Sequence, residues 1–397
     1  MKIAMLLDNP FTEGLPYPKR VYYEAKSLVD NGYDVTIYCK NEKEINLPKF
    51  EVRDGIKIKR VFDYFLGTTV LVDKYLMANI DLFNNIDEKY DIYHCCDTHT
   101  WPIGHVLTNR DNAKYICESY EYFPDYICKE WHDDNFKYEF TKMLVNARGN
   151  YITYADKVIT VSEETADELH DIYNLKEKPV TIYNTRPITY INKLGINKDK
   201  SVNILKEEYQ IDKKTKILLF QGLVEPSRGL DVAIKLMNYL NDSILIIAGQ
   251  DRGNYIKELK ELSIKVGVED KVIFTGFMPS DDLLVYSSYA DFLVYFGKKS
   301  VKNMDLTIPN KFFDYIMVGK PIICSNLKSL EKFINRYKIG LSVDIDNEDI
   351  YSIAKKIQEY ISNKLLISEA KENIKNIQNL YSWERQEEKL LNLYESL

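Results

Sequence analysis

No apolar run in the 397-residue chain approaches the ~20 residues needed to cross a bilayer, so a membrane-spanning helix is not expected. Cysteine is scarce and scattered: Cys39, Cys95, Cys96, Cys117, Cys128 and Cys324 form no C-x-x-C pair. That spacing excludes a disulfide scaffold and a zinc ribbon, and the thiols are expected to be reduced and mostly buried. Glycine is sparse where a dinucleotide fingerprint would need it, because only Gly14 lies between Asp8 and Pro18. A nicotinamide cofactor is excluded on that ground. Positive charge is in deficit, with a net charge of -7, so general nucleic-acid affinity is excluded and any basic site must be local. The opening Met1 to Leu7 turns polar at Asp8, unlike a signal peptide, which leads us to expect a cytoplasmic location. There is no internal repeat, low-complexity segment or nucleophile-elbow spacing.

What is present is ordinary globular material, 45% hydrophobic and 28% charged. The length is that of two domains, each able to bury a full core. Lys2 to Leu7 reads as a strand, Arg20 to Asn31 as a helix and Val35 to Cys39 as a strand, a βαβ opening. Glu51 to Val61 alternates as strands do, and Asp63 to Phe83 has helical spacing. The strands Tyr90 to Cys95 and Ala113 to Cys117 run into polar, aromatic loops. A long helix is expected over Asn135 to Ala155, then a strand at Lys157 to Val161 and a helix capped at Ser162. Pro187 to Leu205 reads as an irregular linker. A second alternation of strands and helices follows it. The predicted domains are residues 1–190 with 382–397, and 191–381. Strands alternating with helices of about ten residues imply an α/β protein with parallel sheets.

Several stretches could carry chemistry. In Thr307 to Cys324, Asn310 reads as an N-cap, apolar residues follow at helical spacing, and Gly319 stops the helix. Its first backbone N–H groups suit an anion, and Asp314 could take ribose hydroxyls or equally be a solvated acid that offsets the helix dipole. Gln221 to Gly229 joins a strand to a helix, with Gly222 near one end. Arg228 there could meet a diphosphate or simply face solvent, and Lys311 offers a second cation or an exposed first-turn lysine. Asp344 and Asp346 have the spacing of a metal pair but sit in an acid-rich loop, so no metal is expected. Asp97 and His99 could form an acid/base pair or be structural, and Tyr120 and Glu121 are polar candidates in the next loop. Lys57, Lys59 and Arg60 beside aromatic residues could dock on an anionic leaflet, or belong to the core.

These residues resemble the glycosyltransferases of family four, nearly end to end. The opening K-I-A-M-L-L-D-N-P-F and R-V-Y-Y-E-A-K-S-L-V-D-N-G-Y-D-V-T are similar to the family's first βαβ unit, and A-D-K-V-I-T-V-S-E-E-T-A-D-E-L to its most recognisable first-domain segment. Q-G-L-V-E-P-S-R-G-L-D, I-I-A-G, D-K-V-I-F-T-G-F-M-P and P-N-K-F-F-D-Y-I-M-V-G-K-P-I-I follow in the family's order, and Y-S-W-E-R-Q-E-E-K-L-L-N-L-Y resembles its final helix. The resemblance implies the GT-B fold, two facing Rossmann-like domains with an interdomain cleft and a C-terminal helix crossing back to the first.

It also implies retaining transfer of a hexose-type sugar from a UDP- or GDP-linked donor to an acceptor hydroxyl, in cell-surface glycan or glycolipid synthesis. No cofactor beyond the nucleotide sugar is expected. The acceptor would be a glycan, a lipid-linked sugar or a protein, and peripheral contact with the inner face of a membrane is a further reading. On matching positions, Arg228 and Lys311 stabilise the leaving diphosphate, Asp314 takes the ribose, and Thr275, Gly276 and Phe277 take the base. Gly222, Asp305 and Asn310 complete the donor set, while Arg20, Asp97, His99, Tyr120 and Glu121 position the acceptor, Asp97 and His99 also serving catalysis. The chain departs from the family at Leu223, where relatives carry arginine, and at Leu306, where they carry an acid, for which Asp305 could substitute. Cys96 and Tyr120 stand at positions often held by histidine. A nucleotide-sugar 2-epimerase on the same fold, and a catalytically silent subunit supporting a partner transferase, are the rival readings.

Overall fold

The computed structural model of the protein describes residues 1–12, 18–41, 47–62, 71–126, 135–196, 202–299 and 302–397. They divide into two units, Met1–Asn184 with Gln386–Leu397, and Thr185–Arg385.

The first unit is built on β1 (Lys2–Pro10), whose run from Ile3 to Leu7 is fully buried. A continuous rather than alternating apolar run is what a strand covered on both faces requires. Around it lie β2 (Asp34–Lys40), β3 (Phe50–Arg53), β4 (Ile56–Phe62), β5 (Ile92–Cys95), β6 (Lys114–Ser119), β7 (Lys157–Thr160) and β8 (Val180–Thr181), in the order β3-β4-β2-β1-β5-β6-β7-β8. All neighbours pair in parallel except the β3–β4 hairpin. The helix expected to 155 stops at Gly149 and continues as a 3₁₀ turn, Asn150–Tyr154, since glycine is a poor helix former. Of the helix expected over 63–83, the part up to residue 70 lies outside the described residues, and the rest is Leu71–Asn85. Ser162 caps Glu163–Tyr173 as read, its hydroxyl accepting from the Thr165 amide.

The final helix, Trp383–Glu395, returns the chain to this unit. Its Gln386 Oε1 accepts from the Tyr183 amide at 3.1 Å, Lys389 Nζ donates to the Thr181 carbonyl at 3.1 Å, and the Tyr394 hydroxyl meets His94 Nδ1 at 2.7 Å.

The second unit carries a six-stranded parallel sheet of β9 (Lys216–Gln221), β10 (Ser243–Ala248), β11 (Val272–Gly276), β12 (Phe292–Tyr295), β13 (Ile322–Ser325) and β14 (Gly340–Val343), ordered β11-β10-β9-β12-β13-β14. The order reverses between β9 and β12. In an open parallel sheet, loops at the carboxyl ends of strands around such a reversal are where ligands bind. Within the stretch expected to be irregular, Ile188–Lys193 and Ile204–Glu208 are short helices. Their starts are satisfied from distant or local side chains: the Glu384 carboxylate accepts from the Ile188 amide at 3.0 Å, and Asn203 caps the second.

No helix among the described residues is long and apolar enough to cross a membrane. The described cysteines, Cys39, Cys95, Cys96, Cys117 and Cys324, are free and buried, while Cys128 lies outside the described residues.

Candidate functional site

The Thr307 to Cys324 stretch forms the helix Asn310–Met317. Phe312, Phe313, Ile316 and Met317 are buried, so the apolar spacing seats the helix on the sheet. Pro309, with φ -66° and ψ 142°, is the N-cap, and Asn310 is the first helical residue rather than the cap. Proline fixes the extended entry that a capping side chain would otherwise hold. Asp314 stays partly exposed, and its carboxylate is gripped from two sides. Arg186 Nε donates to Oδ1 at 2.6 Å and a second guanidinium nitrogen to Oδ2 at 3.4 Å, while Gln221 Nε2 donates to Oδ2 at 3.4 Å.

Beside that helix start lies the loop after β9. Gly222 has φ 126°, a backbone conformation that favours glycine, and a Cβ there would come within 2.5 Å of Lys311 Nζ and displace the end of that side chain. The Lys311 ammonium is buried, 4.4 Å from the Phe220 ring centroid and 5.1 Å from that of Tyr295, with no hydrogen-bond partner among the described residues. Burial, with Arg228 adding like charge, pulls it well below the usual lysine range, against weaker opposition from Glu225 and Asp314. Arg228 ends the 3₁₀ turn Pro226–Arg228, donates to the Tyr295 hydroxyl at 3.0 Å and pairs with Glu225 at 2.9 Å. Gly229 follows at φ 65° and opens the next helix, and a Cβ there would strike the Phe296 carbonyl. Two cations, glycine backbone and a helix start are thus within one loop cluster, an arrangement suited to a diphosphate.

Thr275 and Gly276 end β11, the Gly276 carbonyl accepting from the Gly249 amide at 2.9 Å, and the Phe277 ring beyond them is 71% exposed. The Asp305 carboxylate accepts from the Lys328 amide at 2.7 Å and so serves the start of the helix Lys328–Tyr337. Leu306 is buried. The Asp344 carboxylate accepts from the Asp346 and Asn347 amides, both at 3.1 Å, which is a local turn.

In the first unit, β1 and β5 bring Asp8, Asp97 and His99 together. His99 Nδ1 is 2.9 Å from Asp8 Oδ2 and 3.8 Å from Asp97 Oδ1. Asp97 is buried and accepts from the amides of Asp8 at 2.8 Å, His99 at 3.0 Å and Thr100 at 3.1 Å. Burial pushes its carboxyl up to about 6, with Asp8 adding and His99 opposing. Asp97 therefore organises the loop, and His99 is held through Asp8, a partner that spacing along the chain could not suggest.

Arg20 is a correction: it is buried, not open to an acceptor. It donates to Glu118 through two nitrogens, at 2.7 Å from Nε, to the Ile182 carbonyl at 2.8 Å, and it pairs with Glu24 at 3.0 Å. Glu118 is held at about 2 despite burial, by Arg20 and His94, whereas burial and Glu118 hold Glu24 well above the usual carboxylate range. Tyr120 lies under the Arg20 guanidinium, 5.3 Å from it, and the Glu121 carbonyl accepts from Ser119 Oγ at 2.7 Å. His94, Cys96 and Glu118 offer ligand-type atoms within 4.8 Å of one another. Arg20 already neutralises that carboxylate, and burial keeps the Cys96 thiol well above its ordinary range, so the cluster reads as a buried ion network. Arg60 is likewise buried against the Phe11 and Pro48 carbonyls and Glu51, while Lys57 pairs with Asp34 and Lys59 with Glu88. The basic trio is a set of structural pairs rather than a row of open cations.

Each unit carries a mainly parallel sheet of Rossmann type, and the second places its loop of glycines and cations at the strand reversal. Comparison with known proteins gives the family. Residues 201–379 match the model for glycosyl transferases group 1, and residues 19–187 that for glycosyltransferase family 4. An uncharacterised glycosyltransferase of Methanocaldococcus jannaschii is 23% identical over 388 residues, spanning 93% of this chain and 91% of the relative. Among solved structures, a sucrose-phosphate synthase from Thermosynechococcus elongatus superposes with a TM-score of 0.78 at 16% identity, covering 100% of this chain and 99% of that one. An Anabaena protein crystallised with UDP and glucose has a TM-score of 0.71 at 14% identity, with 100% of both chains covered. The chain belongs to the family-four glycosyltransferases of the GT-B fold.

Proposed function

We propose that the protein transfers a hexose-type sugar from a UDP- or GDP-linked donor to an acceptor hydroxyl with retention of configuration, in the synthesis of a cell-surface glycan or glycolipid. The observation that carries this reading is the buried Lys311 ammonium against the Gly222 loop, beside Arg228. A buried ammonium without a hydrogen-bonding partner is costly, and a diphosphate would supply both the partner and the counter-charge. Arg228 and Lys311 then stabilise the negative charge that develops as the diphosphate leaves, the role other enzymes give to a metal. Asp314 takes the ribose hydroxyls and the Thr275 to Phe277 backbone the base. His99, held by Asp8, positions the acceptor at the carboxyl ends of β1 and β5, where ligands of such sheets bind. The enzyme works in the cytoplasm on a glycan, lipid-linked or protein acceptor.

The deciding experiment is a thermal-shift and calorimetric screen of UDP- and GDP-sugars, followed by turnover of any binder and assignment of the product anomer by NMR. A folded-state ligand raises the melting temperature. Retention in the presence of EDTA supports the proposal, an inverted product contradicts it, and conversion of donor without any acceptor points to an epimerase.

A further inference from the structure

A carboxylate can serve ribose hydroxyls only while its orientation is fixed, and in this chain the fixing group is 128 residues away. Arg186 Nε donates to Asp314 Oδ1 at 2.6 Å, and Arg186 NH2 donates to Ser280 Oγ at 2.9 Å. Ser280 opens the helix Ser280–Ser287, which follows Thr275, Gly276 and Phe277 after only Met278 and Pro279. The other end of that helix is tied to the same carboxylate. Ser287 Oγ donates to Gln221 Oε1 at 2.5 Å, and Gln221 Nε2 donates to Asp314 Oδ2 at 3.4 Å. Arg186 and Asp314 are largely enclosed, with side chains 11% and 17% exposed, so water competes weakly for the pair. A planar guanidinium can hold both partners at once because its donors form a rigid fork. A carboxylate accepts about four hydrogen bonds, so one short bond and two at 3.4 Å leave room for a ribose hydroxyl.

We propose that Arg186 is the positioning residue of the nucleoside pocket, holding the Asp314 carboxylate for the ribose and keeping it in register with the base-facing loop that leads into Ser280. The proposal rests on the reading of Asp314 as the ribose ligand. Arg186 does not touch the reacting atoms, so its loss acts on donor affinity and leaves the chemical step nearly intact.

The test is calorimetric titration of UDP, GDP and their 3′-deoxy forms into the full chain and its R186A, R186K, D314A and R186A/D314A variants. R186A is expected to weaken the better-bound nucleotide roughly 10- to 100-fold, the loss of a charged hydrogen bond, with R186K recovering part. Removing the 3′-hydroxyl should weaken binding to the natural protein but not further to R186A, and the double variant should bind no worse than D314A. In turnover, R186A should raise donor KM with kcat changed less than about threefold. If D314A is weakened while R186A binds as the natural protein does, the proposal fails and the ribose reading survives. If D314A itself binds normally, the ribose reading fails. Should R186A not fold, R186K decides instead: it keeps the charge without the fork, and unchanged affinity and 3′-hydroxyl discrimination in it overturn the proposal.

Discussion

Lys311 Nζ sits 4.4 Å from the centroid of the Phe220 ring, buried. A desolvated cation over a ring gains about 2 kcal/mol. Removing an ammonium from water costs several kcal/mol, so the contact with Phe220 alone does not compensate. The residue is held in the folded state at a net cost, which a bound anion would reverse.

Lys311→Met should therefore abolish nucleotide binding while raising the melting temperature at pH 7. The sign follows from the lowered pKa: in the folded state the lysine binds its proton less tightly than in the unfolded chain, so stability falls as pH drops below the ordinary lysine value of 10.5. Methionine removes that loss, and each kcal/mol regained raises the melting point by roughly 2–4 °C in a domain of this size. Differential scanning calorimetry with and without nucleotide checks both halves.

The same lowered pKa makes nucleotide affinity pH-dependent. A diphosphate raises the lysine pKa, so binding takes up a proton and weakens as pH rises. Titrations in buffers of different ionisation enthalpy should show proton uptake in the natural protein, and none at this site in K311M.

Arg228→Ala should lower kcat by about 10²–10³-fold with the acceptor KM unchanged, as for loss of a preorganised charge donor in other enzymes. Arg228→Lys should recover little, because the contacts to Tyr295 and Glu225 use the guanidinium fork. Steady-state kinetics with the donor found in the screen provides the check.

His99→Ala should raise acceptor KM about tenfold, the worth of one hydrogen bond, and leave nucleotide affinity untouched. Asp8→Asn should reproduce much of that effect, since Asp8 Oδ2 is what His99 Nδ1 meets at 2.9 Å. Calorimetry with nucleotide alone separates this from a general loss of fold.

Arg20→Ala should cost about 3–5 kcal/mol of stability by leaving Glu118 buried without its cation, and fail to express as soluble protein or melt far lower. The pH profile of the natural first unit follows from its other carboxyls. Asp97, raised from 3.8 to about 6, and Glu24, raised well above the usual carboxylate range, hold protons more tightly when folded, so stability falls as pH rises from 3.8 through 6. Glu118, held at about 2, loses its contribution as pH falls from 4.5 towards that value. The melting temperature should peak near pH ~4, and Asp97→Asn should flatten the limb above it.

Much of this was legible in the residues themselves. Apolar spacing gives the helix Asn310–Met317, and the apolar runs give the parallel strands, because burial on both faces demands apolar residues locally. Gly222 and Gly229 mark a loop that must turn tightly, and both carry positive φ. Arg20 misled because a cation beside a loop looks alike whether it faces a ligand or pairs in the core.

The sequence by itself determined the alternation of strands and helices, the family and the loops where ligand groups fall, since these depend on residues close together in the chain. Only the tertiary structure decided which charges meet. Arg186 finds Asp314 across 128 residues, Arg20 finds Glu118 across 98, and Lys311 is buried against Phe220. Hydrophobic periodicity is written locally, whereas the partner and the solvent exposure of a charge are set by the packing of distant elements, and those two quantities fix what the charge can do.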